Sequence, residues 1–235
     1  VFKKYQAAQN LLEVTRDTEK LVREAQAEVD KAKETLTVKA QALKKVRVVA
    51  APKLCDAVTK QMSHLQMGSA QIELNFEDLP FEQWNKVGST KIELMYKPSA
   101  QMTARPLRKI ASGGEVSRVM LACKVVLGES DVCDTLVFDE VDAGVGGATA
   151  VALAEVLAQL AKTHQVIVVT HLPQVAVMAS KQYVVSKTEE HNALPVTSLI
   201  EVSGTQREEE IARMLSGSIT EASLAHAHEL LSEVR

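Results

Sequence analysis

Along the first fifty residues, apolar side chains return at every seventh position. Val22, Val29, Leu36, Leu43 and Ala50 hold this spacing, Ala25, Ala32 and Val46 follow three residues on, and Lys39 is the polar exception. Extended backward, the same phase takes in Ala8 and Leu11, then Thr15 and Thr18. No Gly or Pro interrupts residues 1–51. An a/d seam sustained in this way predicts a coiled-coil arm, weakened by its small and polar members. One helix cannot bury its own seam, so the partner must come from another segment or another chain. Pro52 is expected to break or kink the helix, with a second helix over about residues 53–67 ending near Gly68.

The period then changes. "QIELNF" (71–76) and "KIELMY" (91–96) alternate and predict strands. Between them "EDLPFEQWNKVGS" reads as a loop with Trp84 as a packing anchor. From residue 110 the pattern predicts a helix (115–127), a strand (134–138), a helix (147–163) and a strand (165–170). A short helix follows His171, then strands near 182–187 and 194–202. Alternation of elements at these lengths predicts an α/β layer architecture. Two terminal helices carry start and stop signals. Thr205 with Glu208 and Ser218 with Glu221 have capping-box spacing, and Gly217 is a stop. His226 and His228, two apart on a helix, do not face each other and read as solvated side chains rather than a metal pair. The expected division is a coiled-coil arm over 1–51, a connecting helix over 52–69 and a lobe over 70–235.

Composition narrows the classes. A chain of 235 residues holds one or two domains with room for a sizeable core. Aromatic residues make up only 3%, which disfavours stacking platforms for single-stranded nucleic acid. The formal net charge of −3 gives no global pull toward DNA or a membrane. Cys55, Cys123 and Cys133 form no CxxC pair, so the sequence points to neither a disulfide framework nor a zinc site, and a reducing compartment is expected. No apolar run reaches spanning length and no signal peptide is visible, so no membrane association is expected. The helical pattern is already running at Val1, and the chain is expected to be a fragment that starts inside an element.

Three stretches carry candidate chemistry. In "IASGGEVSRVMLACKVVL", Ser112 and Glu115 have capping-box spacing, yet Gly113 and Gly114 spend backbone order at the mouth of a helix. A flexible helix start accounts for them. So does an anion site, where bare backbone N–H groups and the helix dipole meet a phosphate. In "CDTLVFDEVDAGVGG", an apolar strand ends in Asp139 and Glu140, at the end where open α/β sheets bind ligands. An Asp there can hold Mg²⁺ through water, and an adjacent Glu can orient and deprotonate an attacking water. A solvated strand end would also carry two acids. A third acid, Asp142, and the Gly-rich turn count against that, because clustered like charges repel unless a cation offsets them. In "HQVIVVTHLPQVA", His171 stands just past a buried strand, at the same sheet edge if the strands are parallel neighbours, where it can donate to a γ-phosphate. His164 precedes that strand and is expected at the opposite edge.

Together and in this order, the stretches resemble the C-terminal half of an ABC-type ATPase head. Ser112-Gly113-Gly114-Glu115 matches the signature motif, Asp139-Glu140 the Walker B acids, Asp142 the D-loop and His171 the switch histidine. The preceding arm narrows the likeness to the SMC-like branch. The wording of "KIASGGEVSRVMLACKVVL", "LVFDEVDAGVGG", "THQVIVVTHLPQVA" and "REEEIARMLSG" is similar to the RecN family of bacterial DNA-repair ATPases, over about residues 50–235. Two places depart from that family's pattern. "KPSAQMTARP" stands where an Asn-Pro-Gly-Glu-like turn is frequent, and Ala148 stands where Arg is frequent.

The resemblance implies the fold, α/β as the C-terminal lobe of an ABC-type head behind a coiled-coil helix. It also implies ATP hydrolysis with Mg²⁺ in double-strand break repair and recombination on DNA, in the bacterial cytoplasm at the nucleoid. Glu140 and His171 are then the catalytic residues. Ser112, Gly113, Gly114, Glu115 and Asp142 bind ATP, and Asp139 serves the metal. The signature helix of one head caps the γ-phosphate held by a second copy. No G-x-x-x-x-G-K-[ST] occurs in the chain, so a P-loop is expected on an N-terminal lobe, and the chain is expected to be inactive without it. Two other functions fit less of the sequence: a related SMC-like head with another genome-maintenance role, and a non-enzymatic scaffold, which has no use for Glu140.

Overall fold

The computed structural model describes residues 2–128, 133–188 and 196–234. The side chains of residues 8, 10, 11, 13, 14, 16 and 17, Ala8 and Leu11 of the seam among them, lie outside the described ones. Two compact units result, Val1–Pro52 with Asn75–Glu93, and Lys53–Leu74 with Leu94–Arg235.

Helix α1, Phe2–His64, runs unbroken for 63 residues with Pro52 inside it. Of the break or kink expected at Pro52, the break does not occur. The proline removes one backbone donor and crowds the carbonyl of Val48, which costs about 3 kcal/mol in a helix interior. The turns that follow bury Val58, Met62 and Leu65. Each of these contributes roughly 1.5–3 kcal/mol, so their burial outweighs the proline. N-terminal to Pro52, the seam residues Val22, Val29, Leu36 and Leu43 are exposed, as an unpaired coiled-coil helix requires.

In the first unit the tip between β1 (Gln71–Asp78) and β2 (Thr90–Lys97) packs on α1. Lys44 Nζ donates to the Asp78 carboxylate at 2.6 and 2.7 Å, and Arg47 Nη1 donates to the Val87 carbonyl at 2.7 Å. Trp84 anchors the loop as expected: its Nε1 donates to the Leu79 carbonyl at 2.9 Å and its ring stacks, tilted, 4.9 Å from Phe81.

The second unit carries the main core. β2 pairs antiparallel with β3 (Arg105–Pro106) in a sheet of order β1-β2-β3. Then α2 (Gly113–Leu127) and α3 (Ala148–Leu160) cover one face of a parallel pair, β4 (Thr135–Phe138) and β5 (Gln165–Val168). Leu136 and Phe138 point into this core with Val119, Leu121, Leu153 and Leu157. Cys123 fills space there. Burial, with Cys55 adding to it, pushes its thiol up to about 11, so it stays protonated at neutral pH.

A smaller core lies under α4 (Pro173–Ala176), α5 (Gly204–Ser216) and α6 (Glu221–Glu233), centred on Ile211, Ala212 and Ala227. β6 (Gln182–Thr188) and β7 (Val196–Val202) form an antiparallel pair beside it. Arg207 Nη2 donates to the carbonyls of Ala176, Val177 and Ala179, tying α5 to the end of α4.

Two caps differ from expectation. α5 starts at Gly204, whose φ of +51° turns the chain out of β7, so Ser203 is the N-cap and Thr205 lies in the first turn. α6 is capped by Thr220 and Ser223, whose side chains each accept from the other's backbone N–H, while the Ser218 carbonyl accepts from the hydroxyls of Ser216 and Ser223. Gly217 does stop α5, in the left-handed region at φ +76°.

Because the helix passes through Pro52 intact, Pro52→Ala restores a donor and relieves the crowded carbonyl. Urea unfolding is expected to show a gain of about 1–3 kcal/mol. A loss of stability would mean that the proline serves a bend the helix needs.

Candidate functional site

The parallel register Leu136↔Val166 through Phe138↔Val168 brings the ends of β4 and β5 to one edge. Asp139 and Glu140 follow β4 there, and His171 follows β5 two residues after Val169, whose N–H donates to the Phe138 carbonyl at 2.9 Å. His164 lies at the opposite edge, just before β5, with its ring against the Thr163 hydroxyl.

The chain turns sharply after β4. Glu140 adopts φ +56°, a left-handed conformation that costs a residue with a Cβ about 1–2 kcal/mol. The turn closes with Ala143 N–H on the Glu140 carbonyl at 3.0 Å and Val145 N–H on the Asp142 carbonyl at 3.1 Å. It drives Val141 into the core while Asp139 and Glu140 stay exposed. Such strain persists where surrounding contacts over-determine it. Here those contacts come from α2. Ser117 Oγ donates to the Asp139 carbonyl at 2.8 Å, and Arg118 Nη1 donates to the Val141 and Ala143 carbonyls at 3.3 and 2.9 Å.

Ser112 caps α2, accepting from Glu115 N–H at 3.3 Å. Among the described residues Glu115 makes no reciprocal side-chain bond, so half of the capping box forms. Glu115 stands beside Tyr96, whose hydroxyl is pushed above its ordinary pKa first by burial and then by Glu115. The two glycines differ in what they permit. A Cβ on Gly114 would lie 2.9 Å from Ala143 Cβ and 3.1 Å from the carbonyls of Ala143 and Glu140. A Cβ on Gly113 would collide with Glu140 Oε2, the movable end of a side chain. The helix mouth and the acid turn therefore touch backbone to backbone, and the glycines serve that contact within the chain.

Asp142 is the buried member of the set. Its Oδ2 accepts from Thr170 Oγ1 at 2.5 Å and His171 N–H at 2.9 Å, and it lies 3.1 Å from His171 Nδ1. The Asp142 side chain is 4% exposed, whereas the His171 ring is 70% exposed. Thr170 also accepts from Leu172 N–H at 3.0 Å. Ser117, Arg118 and Thr170 thus belong to the site, although the sequence motifs did not single them out. The signal was adjacency alone, "VSR" after the glycines and "TH" after the strand.

Asp139 has no side-chain partner among the described residues. No group of three or more His, Cys, Asp or Glu side chains among them can enclose a metal. A single free carboxylate at an open edge fits Mg²⁺, which keeps several waters and takes other oxygens from phosphates.

Beyond this edge lies an exposed apolar face. Val137 is 65% exposed and Ile167 46%, and Val169 shares their side of the sheet. Parallel strands are ordinarily covered on both faces, but among the described residues none covers this one. No helix among the described residues is long and apolar enough to cross a membrane.

Gly114→Ala is expected to separate the α2 mouth from the turn and to destabilise the fold by about 1–3 kcal/mol through overpacking. Gly113→Ala is expected to cost less, because Glu140 can swing away. Thermal unfolding of the two variants side by side checks the order, and equal costs would contradict it.

No family model matches the chain. Curated relatives do. The DNA repair protein RecN of Streptomyces coelicolor is 40% identical over 220 residues, covering 89% of this chain and 38% of that protein. RecN of Deinococcus radiodurans is 41% identical over 227 residues, covering 97% of this chain and 39% of its own length. RecN of Mycobacterium leprae is 40% identical over 229 residues, with 89% and 38% covered. The chain thus spans less than two fifths of these relatives. Among solved structures, the Smc head domain with coiled coil and joint from Pyrococcus yayanosii superposes with a TM-score of 0.56 over 87% of this chain and 36% of that one, at 19% identity. The Smc head with an extended coiled coil from Pyrococcus furiosus, solved bound to the C-terminal domain of ScpA, gives 0.52 over 95% and 47%, at 20% identity. These two establish the fold. With relatives this similar across nearly its whole length, and with a coiled-coil helix leading into an SMC-type head fold, the chain belongs to the RecN family.

Proposed function

We propose that this chain is the signature-bearing half of a RecN-type ATPase acting in DNA double-strand break repair and recombination, in the bacterial cytoplasm at the nucleoid. In this division residues 1–51 are the arm, 52–69 the connector and 70–235 the C-terminal lobe. The observation that carries the proposal is the single edge where Asp139, Glu140 and His171 gather, beside a sheet face left bare at Val137, Ile167 and Val169. An ATP-hydrolysing edge on a half-covered sheet calls for a second lobe, and the chain has no P-loop of its own.

Each residue then has a part. Glu140 orients the attacking water and takes its proton. His171 meets the γ-phosphate through its exposed ring. Asp139 holds Mg²⁺ through water, and the ion supplies charge neutralisation on the phosphates. Ser112, Gly113, Gly114 and Glu115, at the positive end of α2, approach the nucleotide of a second head. Asp142, expected among the ATP-binding residues, is buried and serves the nucleotide through the loop it holds after β5. ATP binding draws two heads together, and hydrolysis releases them on DNA.

In the complete protein, Glu140→Gln is expected to slow hydrolysis by about 10²–10⁴-fold while ATP-dependent pairing of heads persists. Turnover assays with sedimentation check both, and unchanged turnover would remove Glu140 as the base.

Mixing this chain with a P-loop-bearing N-terminal lobe is expected to produce magnesium-dependent hydrolysis that neither piece shows alone. Val137→Asp, on the bare face, is expected to leave this chain's own unfolding midpoint nearly unchanged and to block that complementation. Robust hydrolysis by this chain alone would refute the division of labour.

A further inference from the structure

We propose that Asp142 acts as the positioning residue of His171, holding its Nδ1 inward so that Nε2 alone faces the open edge. Asp142 is enclosed, and a buried carboxylate must be met by donors. Three groups of the β5 loop surround one oxygen: the Thr170 hydroxyl, the His171 N–H and the His171 ring. Nδ1 lies 3.1 Å from that oxygen, and because a carboxylate only accepts, a bond between them requires a hydrogen on Nδ1. The ring itself is mostly in solvent and makes no other bond among the described residues, so this contact is what orients it.

The pairing also constrains what His171 does. With Nδ1 donating to Asp142, Nε2 of the neutral ring is an acceptor. It donates to a phosphate oxygen only as imidazolium, and then the Asp142 carboxylate balances the charge. Asp142 therefore excludes the state in which Nδ1 faces the nucleotide, and of the two that remain only the imidazolium donates to a phosphate. The backbone N–H on the same oxygen and the Thr170 bond fix the carboxylate, as outer partners fix ligating histidines elsewhere. This inference presupposes that His171 reaches the nucleotide.

The test uses the complete ATPase, labelled with ¹⁵N at histidine. In the unsubstituted protein the His171 signals are expected to show Nδ1 protonated. In Asp142→Asn the ring is expected to populate both tautomers. ATP turnover is expected to fall on the order of 10–100-fold with little change in ATP affinity. The double variant Asp142→Asn, His171→Ala is expected to be no slower than His171→Ala. A bare Nδ1 in the unsubstituted protein would overturn the proposal without any variant being needed. An Asp142→Asn protein with unchanged tautomer and turnover would also overturn it. If His171→Ala hydrolyses ATP normally, the nucleotide role of His171 falls, and the tautomer measurement still decides what Asp142 does.

Discussion

A buried carboxylate without donors would cost several kcal/mol, and Asp142 avoids that cost only by gathering the loop after β5 around itself. Everything at the edge depends on that requirement. The turn after β4 must bring Asp142 inside, so Glu140 takes a left-handed conformation and Val141 enters the core. The loop after β5 must come to meet it, so His171 ends beside the two acids. The edge is assembled by the satisfaction of one charge.

Helix α2 supplies the second constraint. Ser117 and Arg118 bind three carbonyls of the acid turn, and Gly114 lets the helix mouth approach that turn at backbone distance. The glycine pair had two explanations in sequence, a loose helix start or a phosphate cradle. The structure adds a third, close packing within the chain.

The bare side of β4 and β5, and the exposed seam of α1, are one phenomenon at two scales. Both are apolar surfaces left exposed among the described residues. The seam was legible because a seven-residue repeat is local. The bare strand face was not. Leu136, Val137 and Phe138 are all apolar, as buried parallel strands are, and only the register shows which of them lack a cover.

The order and type of most elements and the family likeness were legible in local sequence alone. Hydrophobic period, capping residues and short-range motif spacing are properties of neighbouring residues. The parallel pairing expected of the two strands was met, which put Asp139, Glu140 and His171 on one edge. The continuity of α1 through Pro52 was decided by tertiary structure, since the compensating burial of Val58, Met62 and Leu65 is not local. The N-caps fell on Ser203 for α5 and Thr220 for α6 rather than on Thr205 and Ser218, a choice among neighbouring residues that spacing alone did not resolve. Tertiary structure also decided the roles of Thr170, Ser117 and Arg118, whose partners lie 22 to 28 residues away. A hydrogen bond across that separation leaves no period in the chain, so only the fold could reveal it.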